Sequence, residues 1–324
     1  MRQLEKDTRR SQQAAFAEST IRNLMSQWNK FQQFCSLAKN VRLPVSSHQL
    51  SLYVQFLSRS LKAPSSIRNY VSGLKTIHTL MDIPFPDTKS LDVRLTLRGL
   101  ERLTHYVPRK AVPVTPSLLV DIYNLLDMTQ PIDVVFWCLF LFMFFLLGRK
   151  SQFLPDSTVK FDSHKLLSRS KVTLFSDHIR VSFSWTKTLQ FGGQILHFPL
   201  FPIPNSPLCP VTAFLTMVSL VPASPRSPAF VYPSGKALIP ITYRVFQRIF
   251  KSLVSMTGRD PTNYSSHSFR WGGTTHAFSI GIPSDYIQAL GHWHSDAYKG
   301  YMDFPDSQRL HDAKLMSETL SAFC

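Results

Sequence analysis

Cysteine and acidic residues are scarce in this chain of 324 residues, and no apolar run is long. The four cysteines stand far apart, with no C-x-x-C pair and no histidine at the spacing of a zinc ligand. This pattern argues against a disulfide-framed scaffold and against a metal site, and it predicts free thiols in a reducing compartment. The cysteines are Cys35, Cys138, Cys209 and Cys324.

No segment is typical of a membrane protein. The most apolar stretch, residues 134–147, is too short to span a bilayer and has Asp133 and Arg149 close to its ends. It therefore predicts a buried core helix. The charged, polar N-terminus leads us to expect no signal peptide, and no basic amphipathic membrane helix stands out.

Positive charge is abundant and unevenly distributed. Lys and Arg outnumber Asp and Glu by 36 to 20, which gives a formal net charge of +16. Residues 1–110 contain 18 of these basic residues against 7 acidic ones. Such an excess predicts an anionic polymer as partner, and without membrane features it favours nucleic acid. A solvated charged face is the alternative.

The hydrophobic pattern predicts two domains. The segment 107–116 has three prolines and cannot continue a helix, so we expect a linker between domain 1–106 and domain 117–324. Apolar residues at three- and four-residue steps predict a bundle of four helices in the first domain. Those helices are residues 19–38, one capped by Ser46 or Ser47, one capped by Ser65 or Ser66, and residues 91–103.

The second domain is predicted to be helical with a small antiparallel sheet, so the fold class is mainly α. Residues 178–185 alternate with period two, as a strand with one buried face does. Further strands are predicted over residues 171–175 and 195–200, and helices over residues 116–126, 132–147, 211–218, 242–256 and 306–323.

Residues 265–301 concentrate groups that suit phosphate chemistry. Here His267 and Arg270 lie one turn apart near the predicted N-terminus of a helix, an end that attracts anions. His292 follows Gly291 in a turn, and a third short helix carries Tyr298 and Tyr301 on one side. An arginine, two imidazoles and a phenol around an anion site predict phosphoryl transfer with tyrosine as nucleophile. The residues alone do not choose between the two tyrosines.

Two cations upstream have an ordinary and a functional interpretation. Arg149 ends a buried helix, where it either extends to solvent or holds an anion. Lys187 lies in the glycine-containing tip of a predicted hairpin, where a lysine commonly serves solubility.

The order of these residues resembles a known family. His267-Ser268-Phe269-Arg270, then Leu290-Gly291-His292-Trp293, then Tyr301 nine residues after His292, resemble the C-terminal signature of the tyrosine recombinases of phage-integrase and Cre type. The resemblance covers most of the chain. It implies a helical core-binding domain and a catalytic domain that form a C-shaped clamp on double-stranded DNA.

The resemblance also implies a mechanism without metal or other cofactor. Tyr301 attacks the scissile phosphate, Lys187 protonates the departing 5′ oxygen, and the arginines neutralise the phosphate. His267 accepts the tyrosine proton, and His292 donates to the phosphate. The implied catalytic set is Arg149, Lys187, His267, Arg270, His292 and Tyr301. Many family members have Glu or Asp three residues after the first arginine, where this chain has Gln152, and this difference predicts a less rigidly held Arg149.

Basic positions in and beyond the bundle are candidates for DNA contact, since Arg and Lys neutralise phosphates. An ordinary protein-interaction bundle is the alternative for the first domain. We further expect self-association on DNA, from dimer to tetramer, through the helix at 306–323. The predicted DNA-binding residues are Arg68, Lys75, Arg109, Lys110, Arg244 and Arg248.

The sequences around Arg149, Lys187 and Arg270 look most like those of recombinases from eukaryotic mobile elements of the DIRS, Ngaro and Crypton types. That resemblance implies DNA integration in a nucleus. Two alternatives stay open at this point. One is a DNA-binding protein of the same fold without catalysis, and the other is a type IB topoisomerase, which uses the same residue types.

Overall fold

The structure is a computed structural model. It describes residues 1–38, 41, 43–107, 111–159, 161–185, 195–293, 295–301, 310, 313–314 and 317–318, and it leaves out the side chains of Arg2, Arg9, Gln13 and Tyr301. The chain forms two compact units, Met1–Arg109 and Lys110–Cys324. The division falls inside the segment predicted as a linker.

The second half of that segment is tied to the second unit. The main-chain N–H groups of Val112 and Val114 donate to the carbonyl oxygens of Asn263 (2.8 Å) and Ser268 (2.9 Å). These bonds hold an extended segment against the region that carries His267 and Arg270.

The first unit is a helical bundle with an aromatic core. Phe31 meets the Tyr53 ring edge-on, with the ring centroids 5.2 Å apart, and both side chains are buried. On α1 every described side chain is exposed. The helices of this unit are α1 (Arg2–Ala14), α2 (Glu18–Leu37), α3 (Ser47–Ser58), α4 (Pro64–Leu80) and α5 (Leu91–Thr104).

Two helix starts show how local sequence sets boundaries. Ser46 and Gln49 form a reciprocal capping box at the start of α3, as a serine followed by glutamine three residues later predicts. The prediction that Ser65 or Ser66 caps the next helix is wrong, because α4 begins at Pro64 with Ala63 as its N-cap. Proline suits this position, since it lacks an N–H group and its φ angle is already helical.

The second unit combines helices with two small sheets. Its helices are α6 (Pro116–Tyr123), α7 (Pro131–Phe145), α8 (Lys150–Phe153), α9 (Pro210–Leu220), α10 (Tyr243–Met256), α11 (Ser266–Ser279) and α12 (Ser284–Leu290). Its strands are β1 (Val172–Leu174), β2 (Ile179–Phe183), β3 (Leu196–Leu200), β4 (Val231–Ser234) and β5 (Ala237–Pro240). Short 3₁₀ turns cover Arg169–Lys171, Pro261–Asn263 and Asp296–Tyr301. The third helix predicted in the 265–301 stretch is thus a 3₁₀ turn.

Helix α7 is the centre of this unit, as its uniformly apolar sequence predicts. Every residue from Val134 to Phe144 is buried. The Phe140 ring stacks on Phe269 of α11 (5.3 Å), and the Phe142 ring stacks on Phe214 of α9 (5.8 Å). Burying one such side chain stabilises a fold by roughly 1.5–3 kcal/mol, so α7 is the main anchor for the elements around it.

Strands β1, β2 and β3 form an antiparallel sheet in sequence order. Val181 of β2 pairs with Val172 on one side and Phe198 on the other, and β2 alternates buried and half-buried residues. Strands β4 and β5 form a separate antiparallel pair. Mainly α architecture with small antiparallel sheets is therefore confirmed.

Two glycines let α11 lie close to its neighbours. A Cβ atom on Gly272 would overlap the carbonyl oxygen of Val114, and one on Gly273 would overlap that of Phe144. No larger residue fits at either position without moving a main chain. The Trp-Gly-Gly sequence thus brings the middle of α11 close to the end of α7.

No helix among the described residues combines the length and the apolar character needed to cross a membrane. The same residues contain no cluster of three or more side chains that would hold a metal ion.

Candidate active site

The first turn of α11 presents His267 and Arg270. The Ser265 hydroxyl accepts the N–H of His267 (3.2 Å), and the Ser268 hydroxyl accepts the N–H of Ser265 (3.0 Å). This cap sets the start of the helix, as serines at such positions predict. His267 is exposed there, whereas Arg270 keeps only 2% of its surface exposed.

The guanidinium of Arg270 is held by two helix ends. Its Nη1 donates to the carbonyl oxygen of Leu147, just after α7, and its Nη2 donates to that of Gly291, just after α12 (2.5 Å). The Trp293 ring covers the guanidinium, with Cζ 3.7 Å from the ring centroid. Carbonyl groups carry no net charge, so these bonds position the cation without neutralising it.

The two helix ends have the same construction. Gly148 N–H donates to Met143 (3.1 Å) after α7, and Trp293 N–H donates to Gln288 (3.1 Å) after α12. Both bonds span five residues, as in a Schellman motif. The turns contain Leu147 (φ 47°) and His292 (φ 50°) in the left-handed region, which costs a residue other than glycine about 1–3 kcal/mol.

Arg149 reaches the same place from the short helix α8. Its Nη2 donates to the carbonyl oxygen of His292 (3.4 Å), the residue next to the Gly291 acceptor of Arg270. Gln152 Oε1 accepts the main-chain N–H of Arg149 (2.7 Å), and Gln152 is 5% exposed. The amide oxygen therefore holds the backbone of Arg149.

The two imidazoles occupy different environments. His292 is half-buried, and its ring meets Phe198 of β3 edge-on at 5.4 Å. His267 remains open to solvent on one side, but the protein around its ring desolvates it and lowers its pKa below the ordinary value of 6.5. The positive charges of Arg270, Lys150 and Arg149 lower this pKa further. A neutral imidazole beside cations is suited to accept a proton.

The two tyrosines of the 265–301 stretch differ in their surroundings. Tyr298 is 2% exposed and packs with Leu147, Ala277 and Ile287 in a small apolar cluster. Tyr301 ends the 3₁₀ turn, and its side chain lies outside the described part of the structure. Lys187 lies outside the described residues altogether. Of the predicted set, the structure brings together Arg149, His267, Arg270 and His292.

Comparison with other proteins identifies the architecture. No protein-family model and no curated protein sequence matches the chain. A solved structure of XerH site-specific recombinase bound to palindromic difH substrate, a post-cleavage complex, is similar at 13% identity and a TM-score of 0.63, over 92% of this chain and 80% of that chain. A lambda integrase dimer bound to a COC′ core site is similar at 12% identity and a TM-score of 0.59, over 93% of this chain and 94% of that chain. The fold is that of the tyrosine recombinases.

On this tyrosine-recombinase fold the predicted DNA-binding residues divide into three groups. Arg244 and Arg248 are exposed on α10, and Lys75 is exposed on α4. Arg68 forms an ion pair with Glu101 of α5 (2.5 Å), which offsets part of its charge. Arg109 and Lys110 lie outside the described residues.

Sequence reasoning missed a row of arginines on α5 in the same tyrosine-recombinase fold. Arg94, Arg98 and Arg102 are all exposed, and their four-residue spacing puts them along one side of the helix. That spacing was the available signal. Sequence reasoning also did not predict that Trp293 covers Arg270. No sequence pattern indicates this contact, because an aromatic residue after a turn is most often part of the core.

Proposed function

We propose that the chain is a site-specific DNA recombinase or integrase that breaks and rejoins DNA through a 3′-phosphotyrosyl intermediate. The observation that carries the proposal is the convergence of Arg149 and Arg270 on the adjacent carbonyls of Gly291 and His292, with His267 beside them. This cationic site on a tyrosine-recombinase fold supports attack on a phosphodiester. The DNA-bound state of the XerH and lambda integrase neighbours supports double-stranded DNA as substrate.

In the proposed reaction the Tyr301 oxygen attacks the scissile phosphorus, and the bond from phosphorus to O5′ breaks. His267 takes the phenolic proton, and Lys187 gives a proton to the leaving O5′. Arg149 and Arg270 neutralise the charge on the non-bridging oxygens, a contribution worth roughly 100- to 1,000-fold in rate per donor. A 5′ hydroxyl from another strand then reverses these steps and completes strand transfer.

Covalent trapping tests this proposal. The protein is incubated with nicked suicide DNA from a broad sequence library, and adducts are resolved on denaturing gels. We expect an adduct that Tyr301→Phe abolishes and Tyr298→Phe retains, since Tyr298 lies in an apolar cluster. DNA binding without any adduct would instead indicate a non-catalytic DNA-binding protein. Relaxation of supercoiled plasmid without a specific site would indicate topoisomerase activity.

We also propose that copies of the chain assemble on DNA, from dimer to tetramer, through the C-terminal segment 306–323. An apolar cavity of about 370 Å³ in the second unit supports this part of the proposal. Its lining includes the exposed side chains of Phe201 and Ile280. Truncation after Pro305 is expected to leave DNA-bound monomers in sedimentation experiments, whereas the full chain forms larger complexes. Unchanged assembly after truncation would contradict the role of this segment.

The proposed biological task is integration of a DNA copy of a eukaryotic mobile element in the nucleus. The motif sequences around Arg149, Lys187 and Arg270 support it. Sequencing the junctions formed in cells that express the chain with a tagged circular donor would test it, and a fluorescent fusion would report its location. Junctions that form independently of Tyr301 would contradict the proposal.

A further inference from the structure

Lys150 is a cation next to the candidate active site for which the mechanism above has no role. It follows Arg149 and is the first residue of α8. Its side chain is half-buried, and its Nζ lies 3.6 Å from the centroid of the Tyr243 ring. An ammonium over a tyrosine face is attracted by the ring, so the side chain is held in one place.

The ring that holds Lys150 is itself fixed. Tyr243 is the first residue of α10, and its main-chain N–H donates to the carbonyl oxygen of Pro155 (3.2 Å), just beyond α8. Tyr243 also packs on the main core of the second unit. The position of the ammonium thus depends on α8, which carries Lys150, and on α10, which carries Tyr243. The hydrogen bond between Tyr243 and Pro155 holds these two helices together.

The charge of Lys150 lies close enough to the active site to act on it. It is one of the three cations that lower the pKa of His267. Within the part of the chain that the structure describes, no carboxylate forms an ion pair with Lys150. A half-buried ammonium group without such a pair is suited to bind an anionic ligand.

Lys150 has basic neighbours on both of the elements that it touches. Arg149 directly precedes it in the chain, and Tyr243, over which its ammonium lies, is followed on α10 by the exposed Arg244 and, one turn further on, by the exposed Arg248. A DNA strand carries one phosphate per nucleotide. If the arginines hold one phosphate, the next phosphates of that strand lie near the basic residues beside the arginines.

We propose that Lys150, held over Tyr243, binds the non-bridging oxygens of a DNA phosphate next to the one that is cleaved. This inference rests on the proposed function, because it takes the arginine site to be the cleavage site. Lys150 then contributes to DNA affinity and to the register of the DNA backbone in the site. It extends the cationic surface from the active site toward the basic face of α10.

Equilibrium binding gives the first test. Lys150→Met removes the charge at similar length, Lys150→Arg keeps it, and Lys165→Met removes one exposed lysine elsewhere in the second unit as a charge-matched control. We expect Lys150→Met to weaken DNA binding several-fold and to reduce the slope of log Kd against log salt by about 0.9, the value for one phosphate contact. We expect Lys165→Met to leave the slope unchanged, and Lys150→Arg to retain most of it. Tyr243→Phe is expected to resemble the unsubstituted chain more closely than Tyr243→Leu does.

Single methylphosphonate substitutions in the DNA locate the contact. At one position adjacent to the scissile phosphate, neutralising the phosphate is expected to weaken binding of the unsubstituted chain but to have little further effect on Lys150→Met. Such non-additivity at one position identifies a direct pair. In cleavage assays the half-saturating DNA concentration is expected to rise more than the maximal rate falls. By NMR, the pKa of His267 is expected to rise in Lys150→Met.

An unchanged salt slope, or additive effects at every phosphate, would overturn the inference. A loss of maximal cleavage rate at unchanged Kd would also overturn it, because Lys150 would then act on the reaction itself. Thermal melting of each variant shows whether it is folded, and Lys150→Gln provides a second uncharged variant if the Met variant is not. Failure of the recombinase proposal is seen separately as the absence of any Tyr301-dependent adduct, whereas the binding experiments need no cleavage.

Discussion

Arg270 carries a positive charge on a buried side chain, which main-chain carbonyl groups and an aromatic ring hold in place. Desolvating a charge is costly, and here two carbonyl oxygens and the face of Trp293 compensate it. Only a planar guanidinium reaches both carbonyls while stacking on an indole, so lysine is not an equivalent residue at this position. The same contacts fix the position of the charge beside Arg149 and His267, where the proposed reaction needs it.

The lowered pKa of His267 predicts a pH dependence of stability. As pH falls below the ordinary value of 6.5, the unfolded chain binds a proton at this position before the folded chain does. The contribution of His267 to stability is therefore fully present above 6.5 and decreases as pH falls from there toward the folded pKa. Urea unfolding at a series of pH values, compared between the unsubstituted chain and His267→Gln, measures it.

For His267→Gln we expect a shallower loss of stability over that interval. NMR titration of the imidazole gives the folded pKa directly. A folded pKa at or above 6.5 would contradict the electrostatic description of the site.

Helix ends, more than helix faces, build the candidate active site. The turns after α7 and α12 point carbonyl oxygens at the two arginines, and the negative ends of both helices stabilise cations there. Helix α8 supplies the third end, where Gln152 caps Arg149. The sequence predicted a less rigidly held Arg149, because Gln152 stands where many family members have Glu or Asp. The Gln152 side chain nevertheless holds the main chain of Arg149.

Substitution of Gln152 tests that anchor. Gln152→Ala removes the acceptor for the partly buried Arg149 N–H, so we expect a loss of about 1 kcal/mol in the free energy of unfolding. Gln152→Glu keeps an acceptor oxygen and is expected to retain adduct formation better than Gln152→Ala. Denaturant unfolding and suicide-DNA trapping measure the two effects. Equal adduct yields for both variants would show that the cap does not support Arg149.

Because α11 lies so close to α7, we expect that position 273 does not tolerate a residue larger than glycine. Gly273→Ala places a methyl group against the carbonyl oxygen of Phe144, so we expect destabilisation by about 1–3 kcal/mol or more. Gly99→Ala in α5 is the matched control, since a Cβ there meets nothing within 4 Å. It is expected to stabilise by roughly 0.5–1 kcal/mol through helix propensity. Similar melting temperatures for the two variants would contradict the proposed close approach.

The whole molecule has a net charge of +16, with most of the excess in residues 1–110. Part of the positive charge is displayed on helices whose opposite faces are buried, as on α5 and α10. Charge on a packed helix has a fixed position, so it would add geometry to the otherwise non-specific electrostatic attraction of the proposed DNA binding.

The arginine row on α5 predicts a measurable salt dependence. Substituting Arg94 and Arg98 together with Gln is expected to reduce the slope of log Kd against log salt by about 0.9 for each phosphate that these arginines neutralise. Arg68→Gln is expected to change the slope less, because Glu101 already offsets the charge of Arg68. Fluorescence anisotropy at several salt concentrations measures both. A larger effect for Arg68 than for the pair would indicate that DNA lies on α4.

The sequence by itself determined most of the elements and predicted a candidate chemistry. Periodic apolar residues predicted the helices of the bundle, the uniformly apolar stretch predicted α7, and period-two alternation predicted β2. These features depend on local spacing, which a sequence displays directly. The residue types of His267, Arg270 and His292 also predicted phosphate chemistry, and the family resemblance added Arg149. Exact helix ends were harder to predict. Ser65 and Ser66 offered competing caps next to Pro64, and the 3₁₀ turn at 296–301 differs from an α-helix only in its main-chain hydrogen-bond pattern.

Only the tertiary structure decided how distant residues share one site. The carbonyls of Leu147 and Gly291 meet at Arg270 because glycines in α11 permit a close approach and two left-handed turns redirect the chain. It also separated residues that the sequence treats alike, burying Tyr298 and pairing Arg68 while exposing Arg94 and Arg98. Charge and spacing are properties of residues in order, whereas burial and pairing arise only when segments far apart in sequence come into contact.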